Sequence, residues 1–347
     1  MWVRRLAAAA AALTVVLIVA GGLVTNTDSG LACPDWPMCF GSPFPKMVGG
    51  VLVEHTHRLL ATAVGLCTLG LCVATLPRRW WFLLCVVLAP VILGAAFVAA
   101  HRQQRDGAVA ALPVLLVLVG FAGCAWAYLR ASGNGRLAVL ALVLVMAQGL
   151  LGGMTVVFRL PPTILVLHLA TSMLFLAAAT TLAWRTSLGE RTSTPRTALL
   201  WATSAAVYLQ ILLGAAVRHT GAGLVCVDLP YCRGAIWPAG VHPSVHLHMA
   251  HRALALVVLA LVVWNAARLL RGGATGVLRA LALAGPVLVL VQMALGIATI
   301  VTFKDLIPVT AHLLVAALLL ADLVSLLVLT RPAEAPVPAP QPLGAAA

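Results

Sequence analysis

Acidic side chains are nearly absent. Nine of the 347 residues are Asp or Glu, and only 9% of residues carry any charge. So few carboxylates, most of them in loops or near the ends of apolar runs, exclude a zinc or divalent-ion path that needs Asp and Glu at membrane depth. Low charge also excludes a soluble domain: 62% of residues are hydrophobic and the mean hydropathy is +1.06, more apolar surface than a soluble core can hide. A separate basic domain is missing too. The net charge is +13, but the basic residues punctuate the apolar runs, which excludes nucleic acid as the partner. The middles of those runs are mostly Leu, Val and Ala, without the polar breaks a transporter uses.

What is present is a series of apolar runs long enough to cross a bilayer as helices, near 6–24, 51–76, 80–100, 109–129, 137–158, 163–184, 198–217, 245–266, 278–301 and 308–329. The expected fold is an all-α polytopic membrane protein of about ten spans. If the spans alternate, Arg4/Arg5, Arg78/Arg79, Arg130/Arg136, Arg185/Arg191/Arg196, Arg268/Arg271/Arg279 and Arg331 fall on one side. By the positive-inside rule that side is cytoplasmic, or the matrix side in a mitochondrion, and both termini lie there. The first run is expected to be a retained span rather than a cleaved signal. The Pro/Ala-rich tail 331–347 is expected to be disordered.

Self-comparison shows a repeat. TNTDSGLACPDWPMCFG (25–41) aligns with RHTGAGLVCVDLPYCRG (218–234), sharing Cys33/Cys226, Asp35/Asp228, Pro37/Pro230, Cys39/Cys232 and Gly41/Gly234. EHTHR (54–58) aligns with HMAHR (248–252), at offset 194. QGLLGGMT (148–155) aligns with QMALGIAT (292–299) at offset 144, and His168 and His312 follow each Gln at the same distance. The drop in offset predicts an inserted helical hairpin at about 80–130. The expected organisation is two pseudo-repeated four-helix bundles, 1–190 with that hairpin and 197–330, related by an axis along the membrane normal.

Both Cys loops face the outside, where disulfides persist, and the spacing predicts the loop-closing pairs Cys33–Cys39 and Cys226–Cys232. A structural staple, a redox pair and a metal-binding pair all remain open for them; the last is weakened because no His lies inside either loop. Cys67, Cys72, Cys85 and Cys124 read as inert helix residues. Of ten histidines, four recur at matched positions: His57, His168, His251 and His312. All four lie in one layer beneath the outer surface, two per repeat. Imidazole pairs from facing helices, with few carboxylates nearby, suit axial ligation of haem iron. Arg58 and Arg252 follow two of these histidines and pair with haem propionates or anchor their helices. Gln148 and Gln292 read as close-packing positions with an interhelical hydrogen bond. Glu54 lies one turn from His57, where the second repeat has His248; a carboxyl there marks a working site, or an interfacial ion pair with Arg58.

SGLACPDWPMCFG, EHTHR, QGLLGGMTV with LPP (160–162), and LHL around His168 resemble the first half of the haem A synthase family. GLVCVDLPYC, HMAHR, QMALG and AHL around His312 resemble its second half. The resemblance implies an eight-helix membrane oxidoreductase of two four-helix bundles. Haem O would bind between His57 and His168, and one ring methyl would be oxidised to a formyl through successive hydroxylations, giving haem A for cytochrome oxidase. It implies haem b on His251 and His312, a catalytic role for Glu54, and a functional role for the first Cys pair. The implied partners are haem O, haem O synthase, an electron acceptor and the lipid bilayer, in a bacterial plasma membrane or an inner mitochondrial membrane. The chain departs from the family in its ten runs and in His55 beside Glu54. The alternative is a dihaem b electron-transfer cytochrome without haem chemistry, although four sites in one layer do not suit transfer across a membrane.

Overall fold

The computed structural model describes residues 2–76, 120–187 and 197–330. Within them are eight helices long and apolar enough to cross a membrane. They are α1 (Trp2–Asn26), α2 (Gly49–Thr75), α3 (Gly133–Val157), α4 (Pro162–Ser187), α5 (Ala198–His219), α6 (Pro243–Arg271), α7 (Gly276–Val301) and α8 (Leu306–Leu329). A further helical stretch covers 120–130. Most of the expected hairpin lies outside the described residues, as does the tail 331–347.

The helix ends follow from local chemistry. Pro243 opens α6, and the ring of His242 accepts the amide of Ser244 at 3.3 Å. Asp305 caps α8 by accepting the amide of Leu306 at 2.8 Å. The α3–α4 and α7–α8 turns match one another. Leu160 N donates to Thr155 O at 2.7 Å and Lys304 N to Thr299 O at 2.8 Å, each a six-residue closure over the last helical carbonyls. Within the spans, hydroxyls return to carbonyls four residues back, as Thr14 does to Ala10 (2.6 Å) and Thr68 to Val64 (2.8 Å), which satisfies these donors inside their own helices.

Packing runs α1 on α2, α2 on α3, α3 on α4 and α4 on α1, which closes a first ring of helices. Helices α5, α6, α7 and α8 close a second ring in the same order. The rings meet through α8 against α4 and α1, and through α4 against α5. Small residues permit the close approach: Ala7, Ala10, Ala138, Ala141 and Ala178 fill the first ring. Gly22 of α1 lies against Leu313 of α8, where an added Cβ would stand 2.7 Å from Leu313 Cδ2. Helix α8 is the most enclosed of the eight. Arg218 at the end of α5 also bridges the rings, reaching Asn26 Oδ1 at 3.2 Å. Both Cys loops stand at one end, and Trp2 and Leu329 at the other.

Candidate functional site

Each Cys loop is built by the residues that repeat. Cys33 is bonded to Cys39, and Cys226 to Cys232. Asp35 accepts the amides of Phe40 (2.6 Å) and Gly41 (2.7 Å), and Asp228 accepts that of Arg233 (2.8 Å). The carboxylate thus collects donors that the tight turn leaves exposed. Gly41 and Gly234 follow with φ of +69° and +77°, a region that favours glycine.

The paired arginines hold these loops. Arg58 donates to the carbonyls of Asp35 (2.8 Å), Met38 (2.6 Å) and Cys33 (3.3 Å). Arg252 donates to the matching carbonyls of Asp228 (2.8 Å), Tyr231 (3.1 Å) and Cys226 (2.6 Å). This is the anchoring arrangement, since the planar fork reaches several loop carbonyls at once. In the second ring the Nε of Arg252 stays buried without a hydrogen-bond partner.

Glu54 joins the first loop to α2. It is only 4% exposed, accepts the amide of Cys33 at 2.8 Å, and pairs with Arg58 at 2.5 Å. His248, at the matching position, instead donates through Nδ1 to the carbonyl of Ala222 at 2.8 Å. The two halves therefore fix their loops with a carboxylate on one side and an imidazole on the other.

Below the loops lie the four repeated histidines. Each ring faces a glycine on the neighbouring helix. A Cβ on Gly21 would lie 3.1 Å from His57 Cε1, on Gly152 3.5 Å from His168 Cε1, on Gly214 2.9 Å from His251 Cε1, and on Gly296 3.2 Å from His312 Cε1. Gly21 and Gly214 repeat at the offset of the Cys loops, and Gly152 and Gly296 at the offset of the glutamines. His57 and His168 lie close enough for their charges to interact, as do His251 and His312. His312 donates through Nδ1 to the carbonyl of Gln292 at 3.0 Å, which leaves its Nε2 lone pair free. His57 and His251 face the backbone of Leu17 and Gln210, which stand as Gln292 does one turn before the paired glycine, and the Nδ1 of His168 is buried without a partner.

Gln148 donates to the backbone carbonyl of His168 at 2.7 Å and to Thr171, across α3 and α4. Gln210 of α5 does the same for the carbonyl of His251 at 2.9 Å, a role the sequence reading missed. Its repeat partner is Leu17, so a search for identities passes over it, although Gln-x-x-x-Gly at 148–152, 210–214 and 292–296 is a visible signal. His55, singled out in the sequence as a departure beside Glu54 and open there as a third polar group of the site or a headgroup contact, is buried against the first disulfide. Its ligand-type nitrogen and the two sulfurs fall within 4.8 Å of one another, and its Nε2 donates to Pro43 O at 3.0 Å. The sulfurs are joined to each other, so they are not free to ligate. Trp36 covers the first site from above, its indole set against Gly153 where a Cβ would come within 2.9 Å.

These features define a membrane-embedded helical protein with two loop-covered pairs of half-buried imidazoles. The sequence matches the COX15-CtaA family, described as cytochrome oxidase assembly protein, over residues 4–49 and 46–324. The chain belongs to that family. It is 28% identical over 330 residues to a heme A synthase of Alkalihalophilus pseudofirmus, covering 90% of this chain and 93% of the relative. It is 27% identical to heme A synthases of Shouchella clausii (87% of this chain, 88% of the relative) and Halalkalibacterium halodurans (87% and 88%).

Proposed function

We propose that this protein is a haem A synthase. On this reading it is built from two repeated four-helix units, with a hairpin inserted in the first. The Cys loops lie outside and both termini are cytoplasmic. The observation that carries the proposal is the set of four half-buried imidazoles, each against a glycine at a repeated position.

That arrangement fits the group it has to hold. A glycine opposite each ring keeps a helix surface flat beside the imidazole, the shape a broad planar ligand needs. A ring held through Nδ1, as His312 is by the Gln292 carbonyl, keeps its Nε2 lone pair as a ligand for the site. Haem O is the substrate at His57 and His168, and haem b is held by His251 and His312. Bound haem supplies the redox chemistry. The chain's own residues bind, orient and enclose it. Glu54, held at the loop side of His57 by Cys33 N and Arg58, serves as proton acceptor at the first site. Arg58 is committed to its loop and to Glu54, whereas the unpartnered Nε–H of Arg252 is a donor for a propionate.

The test is pigment analysis of the purified protein beside His57→Ala and His251→Ala, with an assay of haem O conversion in membranes. The reading expects O-type or A-type haem lost with His57, haem b lost with His251, and conversion abolished by Glu54→Gln with haem b retained. Haem b alone at both sites would indicate an electron carrier. Protein purified without any haem defeats the proposal.

A further inference from the structure

The second ring carries a buried acid that the proposed chemistry does not use. Asp322 of α8 is 6% exposed, and neither carboxyl oxygen has a hydrogen-bond partner. An ionisable group at membrane depth is costly and marks a functional position by default. Its surroundings are adapted to it. Gly285 of α7 faces it, with an added Cβ 3.3 Å from Asp322 Oδ2. The next residue, Pro286, sits inside α7 and has no N–H for the carbonyl of Ala282. A buried carboxyl without a partner and a buried carbonyl without its helical donor thus share one region. One turn along α6 from Val262, which also touches the Gly285 site, Asn265 donates to Thr203 of α5 and to Leu261 O at 3.1 Å.

The first ring supplies the control. Carried back by the repeat offsets, Thr203, Asn265, Gly285, Pro286 and Asp322 fall on Ala10, Leu71, Ala141, Leu142 and Ala178. All five are buried members of one apolar core. The shared fold therefore does not require the polar set.

We infer that Asp322 and the Ala282 carbonyl form a proton-binding site of the second ring, whose occupancy follows the charge at the His251/His312 pair. The link to that pair rests on the function proposed above. A protonated carboxyl is a donor, and Ala282 O is the acceptor α7 leaves open. Too few oxygens gather there for a metal cation. Asp322 lies about 15 Å along α8 from His312, at 1.5 Å per residue. At that distance in a low-dielectric interior, an electron added at the outer pair favours a neutral carboxyl, and its removal favours the carboxylate. The charged groups nearest the site are exposed: Arg279 of α7 stands one turn before Ala282, and Arg185 of α4 follows Trp184, which donates to Ser325 at 2.7 Å, one turn from Asp322. Arg279 of α7, Arg268 and Arg271 of α6, Arg185 of α4, and Arg4 and Arg5 of α1 lie toward the termini end. His168, His251, Arg218 and His219 lie toward the loops, and Tyr208 of α5 donates to Ala170 O at 3.2 Å.

Infrared spectroscopy of the purified full-length protein tests the site. The wild type should show a carboxylic-acid C=O band that shifts in D2O, and it should vanish in Asp322→Asn and in Asp322→Ala, the residue the first ring uses. Pro286→Leu, which returns a donor to Ala282, should move the band to the frequency of a free carboxylic acid. Identical carboxyl spectra in wild type and both Asp322 variants would overturn the site. The midpoint potential of the second-site haem should depend on pH in the wild type and lose that slope in Asp322→Asn; an unchanged slope overturns the link. Protein without haem would overturn the proposed function and the link together, while the infrared band still decides the proton site.

Discussion

At the scale of single residues, the tightest constraint is the space around the four imidazoles. Gly214 leaves least room, and a methyl there would press on His251 Cε1 at 2.9 Å. If the second site holds haem b as proposed, Gly214→Ala should displace the ring and lower haem b per protein several-fold in pigment analysis, while the first site keeps its complement. The histidines were legible because each occurs twice at a fixed spacing. Their glycines were not weighed in the sequence, since glycine is common in membrane helices and acquires meaning only when a ring is seen against it. The arginines show a different gap. Sequence places Arg58 and Arg252 beside the histidines, but which carbonyls a long side chain reaches depends on how the loop returns over the helix. Asp322 escaped attention because it has no partner in the repeat.

At the scale of elements, each Cys loop is a compact object: a disulfide, an acid that collects turn amides, and a guanidinium beneath. Its sequence pattern predicted the disulfides and the turn, and both features are present. Asp35→Ala removes two charge-assisted acceptors from a partly exposed loop, a loss of about 1–2 kcal/mol after solvent screening. Thiol trapping under mild reductant should then label Cys33 and Cys39 faster than in the wild type, with Cys226 and Cys232 unaffected. The helices themselves were readable from hydropathy, with ends shifted by a few residues. Caps such as Asp305 and Pro243 set those ends, and an apolar run does not register them.

At the scale of the whole molecule, the two rings depend on one another through α8. That helix is enclosed on most sides, and Gly22 of α1 admits Leu313 to the seam. Gly22→Leu overpacks this contact and should cost about 1–3 kcal/mol, seen as a lower midpoint of thermal unfolding in detergent, with pigment lost from both sites together. The sequence showed that the halves repeat. It did not show which helices form the seam, because apolar faces toward lipid and toward protein look alike in a membrane. The small disulfide loops, with five residues between the cysteines, also have a plain biochemical consequence. Trp36, at the crest of the first, is 44% exposed and open to a protease. A chain cut between Cys33 and Cys39 cannot come apart, so it should migrate as one band on a denaturing gel and separate into two only after a thiol is added.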